Sequence, residues 1–483
     1  MPSSRHTLCT LLAPLFLLTA ARADSLDARL NALLADPALK SAQVGIDIQE
    51  LTPKGPAVLF SHNPNLPLEP ASNTKLLTTA AAFERYGPSA TFKTNLFSLG
   101  QDLLLVGGGD PGLGDSNIAA ASGTSPTAVF EQWAQTLKQA GISQYRQLIL
   151  DDRIFDTQWV HPDWPKDQLL DWYSAPIGGL NFNANCLDWM PKLTNRGIDV
   201  QLIPDTSAVS VAIKASRGKE TRVSMIRPAD SNHFEMRGTV AASSTSPQSV
   251  PICDPGLWTA GILHDVLARA GIQSTAPDPL RRAETNEQFP TGPNAARLLA
   301  SHETPILAVM KRANTDSLNM VAECFCKRLG YDATGKPGSW ENGTAAVEDF
   351  VVALGGKREW LDLADGSGLS HKDHAAARAF TAVLAHVAMR PDAAQFIDTL
   401  ATPIENGTLK KEKRFRGMAV ENHIHAKTGH IEGVSTLSGY ILVGDGDARR
   451  TLIFSILINH KSGNVDAWED RVCQAAYEWA LGK

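Results

Sequence analysis

Residues 69–82 have the sequence EPASNTKLLTTAAA, and the interpretation of the whole chain depends on them. Pro70 suits the first turn of a helix, because its fixed φ fits there and its missing N–H is not needed. Apolar residues at helical spacing follow, and Gly87-Pro88 ends the pattern. A helix places the Ser72 hydroxyl and the Lys75 amine, three residues apart, on one face. Apolar surroundings disfavour the charged amine, so Lys75 can serve as a base for a nucleophilic Ser72.

The Ser-x-x-Lys spacing alone leaves two interpretations open. Ser72 is either a nucleophile or an ordinary polar residue in the first turn of a buried helix. The same spacing recurs at Ser216 and Lys219, where Gly218 and the polar residues that follow favour a solvated turn. Motifs further along the chain distinguish between the nucleophile and the ordinary helix residue.

Residues 1–23 are typical of a secretory signal peptide. An apolar run over residues 8–20 is short for a membrane span, and the small residues Ala21 and Ala23 precede a cleavage point before Asp24. An uncleaved anchor is the alternative, which a proline within the run disfavours. We therefore expect a periplasmic protein that is soluble or at most loosely associated with membrane or wall.

Composition predicts an ordinary globular protein of about three domains. The hydrophobic share is 43%, and the net charge of −6 comes without a basic stripe, so nucleic acid is not expected as a partner. Five cysteines remain after signal removal, an odd number that cannot pair fully within the chain. We predict a Cys186–Cys253 bridge, since both lie in the middle region. The other three are Cys324, Cys326 and Cys473.

The pattern of segments predicts one domain built from both ends of the chain, residues 24–90 and 291–483. Two alternating runs, residues 43–48 and 57–60, predict a hairpin, and three strands and a helix are predicted near the C-terminus. Residues 91–290 differ in character and predict an inserted domain, with a small β-rich subdomain nested at about residues 190–250. Its aromatic stretch, residues 159–186, suits either a core cluster or a substrate-binding wall.

Two further motifs have the residue types that serine chemistry needs. Ser317-Leu318-Asn319 follows a polar turn at a helix entry, where it can point polar side chains into a cleft, although a helix-capping serine is the simpler explanation. Lys427-Thr428-Gly429 provides a cation and a hydroxyl on a predicted strand, and the glycine lets a ligand approach the backbone.

Together the three motifs, in this order, match the signature of β-lactamases and penicillin-binding proteins. A class A β-lactamase is shorter and has its second motif soon after the first, whereas about 240 residues separate Lys75 from Ser317. Over nearly the whole mature chain the sequence resembles the type-4, class C low-molecular-mass penicillin-binding proteins, which are periplasmic D-alanyl-D-alanine carboxypeptidases and endopeptidases.

The resemblance implies an α+β, penicillin-recognising serine transpeptidase-like domain, with an antiparallel sheet between helices on both faces and a large nested insert. It implies an enzyme that cleaves peptidoglycan stem peptides and crosslinks through an acyl-enzyme, with β-lactam antibiotics as covalent inhibitors. No metal or organic cofactor is called for. A β-lactamase or esterase on the same fold is the alternative, although no motif marks a deacylating carboxylate. A non-enzymatic wall-binding scaffold would not need the complete set of motifs.

Residue roles follow from the resemblance. Ser72 is the expected nucleophile and Lys75 its base, Ser317 relays a proton, and Asn319 orients Lys75 and the substrate amide. The backbone N–H groups of Ser72 and His430 are expected to form the oxyanion hole. The expected substrate-binding residues are Lys427, Thr428, Gly429 and His430.

Several positions depart from the family pattern and are candidates for substrate recognition. His371 stands where an arginine is frequent, Glu432 where an amide is frequent, and either Asp167 or Gln168 occupies the place of an acidic residue. Tyr173 lies in the same part of the insert. His430 replaces a small hydroxyl residue, and its imidazole can crowd the cleft. The size of the insert leads us to predict endopeptidase activity on crosslinks.

Overall fold

The structure, a computed structural model, describes residues 26–290, 295–405, 407–446 and 449–482. The predicted signal peptide lies outside these residues. The longer strands are β1 (Gln43–Thr52), β2 (Gly55–His62), β4 (Thr91–Leu99), β5 (Asp102–Gly107), β7 (Leu148–Asp151), β8 (Cys186–Thr194), β9 (Gly197–Ile203), β10 (Ser210–Ile213), β12 (Arg222–Ile226), β13 (His233–Val240), β14 (Gln248–Pro251), β17 (Arg297–Pro305), β20 (Ile424–Ile431), β21 (Val434–Val443) and β22 (Arg450–Asn459). The short strands are β3 (Pro67–Leu68), β6 (Gln144–Tyr145), β11 (Ser216–Arg217), β15 (Gln273–Ser274), β16 (Leu280–Arg282), β18 (Leu361–Asp362) and β19 (His374–Ala376).

The helices include several that the sequence pattern did not predict, among them α8 and α9. They are α1 (residues 26–34), α2 (Thr74–Tyr86), α3 (Ser116–Ala121), α4 (Ala128–Gln139), α5 (Pro255–Arg269), α6 (Ile306–Asn314), α7 (Asn319–Thr334), α8 (Trp340–Ala353), α9 (Ala377–Ala388), α10 (Ala393–Ile397), α11 (Thr408–Lys411) and α12 (Asp466–Ala480).

Both ends of the chain build one five-stranded antiparallel sheet, in the order β2-β1-β22-β21-β20. Strand alternation divides its side chains between two cores. Ile453 and Leu457 of β22 pack on the side of α2 and α9, whereas Phe454 and Ile456 pack on the side of α1 and α12. The predicted antiparallel sheet with helices on both faces is confirmed.

Helix α2 runs through the centre of this domain. A 3₁₀ turn over Ala71–Asn73 precedes it, and Gly87, with φ +71°, ends it. Residues 74–83 are all buried, including several threonines and Lys75. A helix that is buried all round needs neighbours on every side, and α2 contacts α6, α7, α8 and α9.

A second five-stranded sheet, in the order β16-β7-β5-β4-β17, forms the core of the insert. Strand β17 pairs with β4 along nearly its whole length, so the strand that leaves the insert returns beside the strand that entered it. The pairing therefore extends the insert to about residue 305, beyond the predicted limit at 290. A polar segment before residue 290 contains β16, which adds a short parallel edge to β7.

The nested β-rich part consists of two small sheets. Strands β14, β8 and β9 form one, and β10, β11, β12 and β13 form the other. The predicted Cys186–Cys253 bridge is wrong, because the structure holds both residues as free thiols. Cys186 opens β8 with its sulfur 3.9 Å from the Trp172 carbonyl oxygen. Within the described ranges, no helix is long and apolar enough to cross a membrane.

Candidate active site

Three segments far apart in sequence meet at one place. The turn Ala71–Asn73 packs on β20 and β21, and α7 packs along α2. Gly429 lets β20 approach the turn, because a Cβ there would lie 2.9 Å from Ser72 N. Ala71 and Ser317 both adopt positive φ, +45° and +63°, which is uncommon for residues with side chains and frequent at functional sites.

Ser72 and Lys75 form a hydrogen-bonded pair. Lys75 Nζ donates to Ser72 Oγ at 2.8 Å and to the Ser367 carbonyl oxygen at 2.8 Å. The lysine side chain is completely buried, and this burial lowers its pKa to about 8. Nearby carboxyl groups oppose part of that shift. A substantial fraction of Lys75 is therefore neutral near pH 8 and able to accept a proton.

A cluster of buried acids lies beneath this lysine. Asp365 accepts the N–H groups of Ser367, Gly368 and Ser370 and the Trp164 indole N–H, and so fixes the loop whose carbonyl receives Lys75. Burial, reinforced by the Asp365 charge, raises the pKa of Glu323 to about 8 and that of Asp373 well above its usual range. The charges of the three acids favour the protonated form of Lys75 and limit how far its pKa falls.

Ser317 and Lys427 form a second pair beside the first. Lys427 Nζ donates to Ser317 Oγ at 2.9 Å and to the Thr428 carbonyl oxygen at 2.8 Å. Burial and the nearby Lys75 charge lower the pKa of Lys427 well below its usual range, while Glu412 and Asp316 act in the opposite direction. A carboxylate arriving here would favour the protonated lysine.

Asn319 is placed differently from the expectation. Its side-chain amide donates to the Tyr173 carbonyl oxygen at 2.8 Å, while Lys75 bonds to Ser72 and Ser367. Asn319 is the first residue of α7, which faces the insert at this point, so its amide joins the helix to the insert rather than to the lysine.

The outer edge of β20 presents backbone N–H groups to the cleft. The Ala426 N–H points outward, since it donates to the Ala401 carbonyl oxygen at 3.0 Å. N–H direction alternates along a strand, so those of Thr428 and His430 face the same edge. The Thr428 hydroxyl makes no hydrogen bond with any residue that the structure describes. These donors and the adjoining Ser72 N–H suit a developing oxyanion.

The His430 imidazole is held at the side of the cleft. Its Nε2 lies 3.2 Å from an Asp466 carboxylate oxygen and 3.3 Å from Ser435 Oγ. The bond to His430 lowers the pKa of Asp466 to about 2. The ring is therefore anchored to α12 and leaves the N–H edge of β20 open.

All five candidates for substrate recognition line one cleft of about 760 Å³. Ser72, Ser317, Asn319 and His430 line it as well. His371 Nδ1 lies 2.8 Å from a Glu69 carboxylate oxygen, which fixes its ring. The recognition candidates are Asp167, Gln168, Tyr173, His371 and Glu432.

The aromatic residues of the stretch 159–186 include both core residues and residues that line the cleft. Trp164 and Phe182 are buried, whereas Trp172 is 43% exposed and lines the cleft together with Tyr173. No sequence motif marks Glu323, whose carboxylate accepts the Trp340 indole N–H at 2.7 Å and the Gly366 N–H at 2.9 Å. The available signal was a lone acid in the apolar run of residues 320–326.

A serine bonded to a buried lysine, on an antiparallel sheet covered by helices, defines the penicillin-recognising class of serine hydrolases. Within that class, the chain belongs to the D-Ala-D-Ala carboxypeptidase 3 (S13) family, whose model matches residues 26–478. It is therefore a peptidase of the D-alanyl-D-alanine carboxypeptidase type.

Individual relatives agree with this assignment. The chain is 30% identical to a D-alanyl-D-alanine carboxypeptidase of Actinomadura sp. (strain R39), over 95% of this chain and 86% of the relative. It is 22% identical to the D-alanyl-D-alanine carboxypeptidase DacB of Haemophilus influenzae, over 87% of each. The crystal structure of penicillin binding protein 4 (dacB) from Haemophilus influenzae has the same fold, with a TM-score of 0.73 at 20% identity over 96% of this chain and 99% of that protein. A complex of that protein with a novel β-lactam gives a TM-score of 0.69 at 20% identity, over 93% and 98% of the two chains.

Proposed function

We propose that this protein is a periplasmic D-alanyl-D-alanine carboxypeptidase and endopeptidase that works through an acyl-enzyme at Ser72. One observation carries the proposal: Lys75 Nζ is buried, 2.8 Å from Ser72 Oγ, with its pKa lowered to about 8. A neutral amine at this distance can take the hydroxyl proton as the oxygen attacks. The apolar N-terminal run supports export to the periplasm.

The first half of the reaction forms the ester. Ser72 Oγ attacks the carbonyl carbon of the penultimate D-Ala while its proton passes to Lys75. The carbonyl oxygen becomes an oxyanion and accepts hydrogen bonds from the N–H groups of Ser72 and His430. As the C–N bond breaks, the proton held by Lys75 passes through the Ser317 hydroxyl to the leaving nitrogen, so the amine departs neutral and Lys75 is again an uncharged base.

The second half releases the product. Water attacks the ester carbon while neutral Lys75 accepts its proton, and Lys75 returns that proton to Ser72 Oγ as the ester C–O bond breaks, which gives a shortened peptide with a free carboxylate and the original enzyme. Lys427 and Thr428 bind the carboxylate of the leaving residue, and Lys427 also keeps Ser317 in position at 2.9 Å. The acidic side chains Asp167 and Glu432 in the cleft suit an amine on the substrate's diamino acid.

Covalent labelling tests the nucleophile. Incubation with penicillin followed by intact-mass spectrometry should show one adduct, which Ser72→Ala abolishes. Ser216→Ala is a matched control, because Ser216 has the same Ser-x-x-Lys spacing but lies exposed on β11. An adduct that survives Ser72→Ala or disappears in Ser216→Ala would refute the assignment.

Product analysis tests the substrate. Purified crosslinked muropeptide dimers and pentapeptide monomers should both be cleaved, with products resolved by chromatography. Intact dimers beside trimmed pentapeptides would restrict the enzyme to carboxypeptidase activity. Rapid loss of a fluorescent penicillin label would instead indicate a β-lactamase, since that activity needs fast hydrolysis of the acyl group.

A further inference from the structure

A second cavity, of about 580 Å³, lies beside the active-site cleft. It is formed between the insert and the catalytic domain, with β14 and the segment around Asn183 on one side and α6 on the other. Trp172, Asp316 and Lys411 line both spaces, so the cavity and the cleft share one boundary.

The boundary adjoins Ser317, the residue proposed to protonate the leaving group. Asp316 directly precedes Ser317, whose hydroxyl accepts from Lys427. In the proposed mechanism, the carbonyl carbon of the substrate lies beside the N–H of His430. The leaving nitrogen then lies further along β20, on the side of Lys427. A chain that continues beyond that nitrogen therefore passes Asp316 and Lys411 towards the second cavity.

The cavity lining carries three carboxylates, Asp115, Asp188 and Asp316, and two cations, Arg312 and Lys411. The Arg312 guanidinium bonds to Asp115 at 3.1 Å and also to Asp316. Asp188 accepts hydrogen bonds from Ser116 and Asn183, each at 3.0 Å. The Lys411 ammonium, by contrast, has no ion pair or hydrogen bond to any residue that the structure describes.

We infer that this second cavity binds the leaving stem peptide of a crosslink during endopeptidase cleavage. The inference rests on the proposed function. A terminal D-Ala ends at its carboxylate and has nothing to place in the cavity, whereas a leaving diamino acid carries a whole stem. Lys411 would bind a stem carboxylate, and the exposed Trp172 indole would cover the aliphatic part of the diamino acid.

Blocking the cavity without touching the cleft tests this inference. Gln248 lies on β14, is exposed and lines only the second cavity. Gln248→Trp should lower kcat/KM for crosslinked dimers by about tenfold, within the range of a single pocket contact, and leave pentapeptide trimming unchanged. Gln248→Ala, which adds no bulk, should match wild type on both substrates. The pentapeptide rate also reports that each variant is folded.

The outcomes separate the two proposals. Wild-type enzyme that leaves dimers intact would refute the endopeptidase function and the inference with it. Wild-type enzyme that cleaves dimers, together with Gln248→Trp that cleaves them equally fast, would overturn only the cavity assignment. A parallel loss on dimers and pentapeptides would also overturn it, because the effect would then reach the catalytic centre.

Discussion

Replacing Gly429 by alanine should slow acylation of Ser72 while the protein stays folded. The new Cβ would lie 2.3 Å from Thr436 Oγ1, 2.9 Å from Ser72 N and 3.0 Å from Pro70 O, whereas ordinary van der Waals contact begins at 3.4 Å. The Thr436 hydroxyl can rotate away from the methyl group. The two backbone atoms cannot, since they belong to the turn that carries the nucleophile. That turn must move from β20 by about 0.5 Å, the difference between 3.4 and 2.9 Å.

This displacement sets the expected magnitude. Because a misplacement of about 1 Å can lower a rate about 100-fold, half that distance should slow acylation about tenfold. The measurement is the second-order rate constant for labelling by a fluorescent penicillin, with thermal unfolding as the check on folding. Gly463→Ala is the matched control, because a Cβ there meets no atom within 4 Å, and it should label at the wild-type rate.

The double variant Gly429→Ala/Thr436→Ala tests the cause. It removes the Thr436 hydroxyl, together with its hydrogen bond to the Pro70 carbonyl oxygen at 2.9 Å, but keeps both contacts of the new Cβ with the turn, so labelling should stay slow. Full recovery in the double variant would refute displacement of the turn as the cause. Wild-type labelling by Gly429→Ala itself would refute the reasoning altogether.

Three further predictions concern the charged groups. Lys75→Ala should slow acylation by about two to four orders of magnitude, because it removes the proposed base. In the wild-type enzyme the acylation rate should rise with pH and level off above about pH 8, since only the neutral amine accepts a proton. An unchanged rate in the variant or a flat pH profile in the wild type would contradict this role. Lys427→Ala should raise KM for a free pentapeptide, because it removes the cation that binds the terminal carboxylate, and an unchanged KM in steady-state assays would exclude that role. Burial raises the pKa of Glu323 to about 8 in the folded protein, against 4.5 for an ordinary glutamate, so the folded state keeps a proton that the unfolded chain releases. This proton's contribution to the free energy of unfolding is complete below about pH 4.5 and is lost as the pH rises to about 8. Glu323→Gln should therefore make the free energy of unfolding, measured in urea, fall less steeply with pH than in the wild type. An equal pH dependence in both proteins would count against this prediction.

Much of the fold could be predicted because its strongest signals are local. The β1–β2 hairpin, α2, the three C-terminal strands and α12 all have clear periodicity and turn residues at their ends. Strand β17 was missed because its half-exposed, polar sequence carries little alternation, and it is specified by pairing with β4, some two hundred residues earlier. The free thiols of Cys186 and Cys253 show the same limit, since residue type does not reveal whether two cysteines are joined.

The site, too, has residues that local motifs predict and residues that depend on tertiary packing. Ser72, Lys75, Ser317 and Lys427 could be placed together because each lies in a short motif at the end of an element. The contact between Asn319 and the Tyr173 carbonyl oxygen could not be predicted, because it depends on how the insert docks against α7. Glu323 and Asp373 have no motif of their own, and their importance comes from burial beneath Lys75.

The pairing of β1 with β22 affects the order in which a growing chain can fold. Strand β1 cannot pair with β22 until about 400 further residues have been synthesised. Their synthesis takes about 20 to 80 s at the usual rate. The insert, by contrast, closes its sheet when β17 emerges, well before β20 exists. A nascent chain thus has a finished insert and an incomplete catalytic sheet with an unpaired, aggregation-prone edge. We expect chains ending before residue 424 to take up no penicillin label although the insert resists proteolysis, so the enzyme stays inactive until the last part of its synthesis.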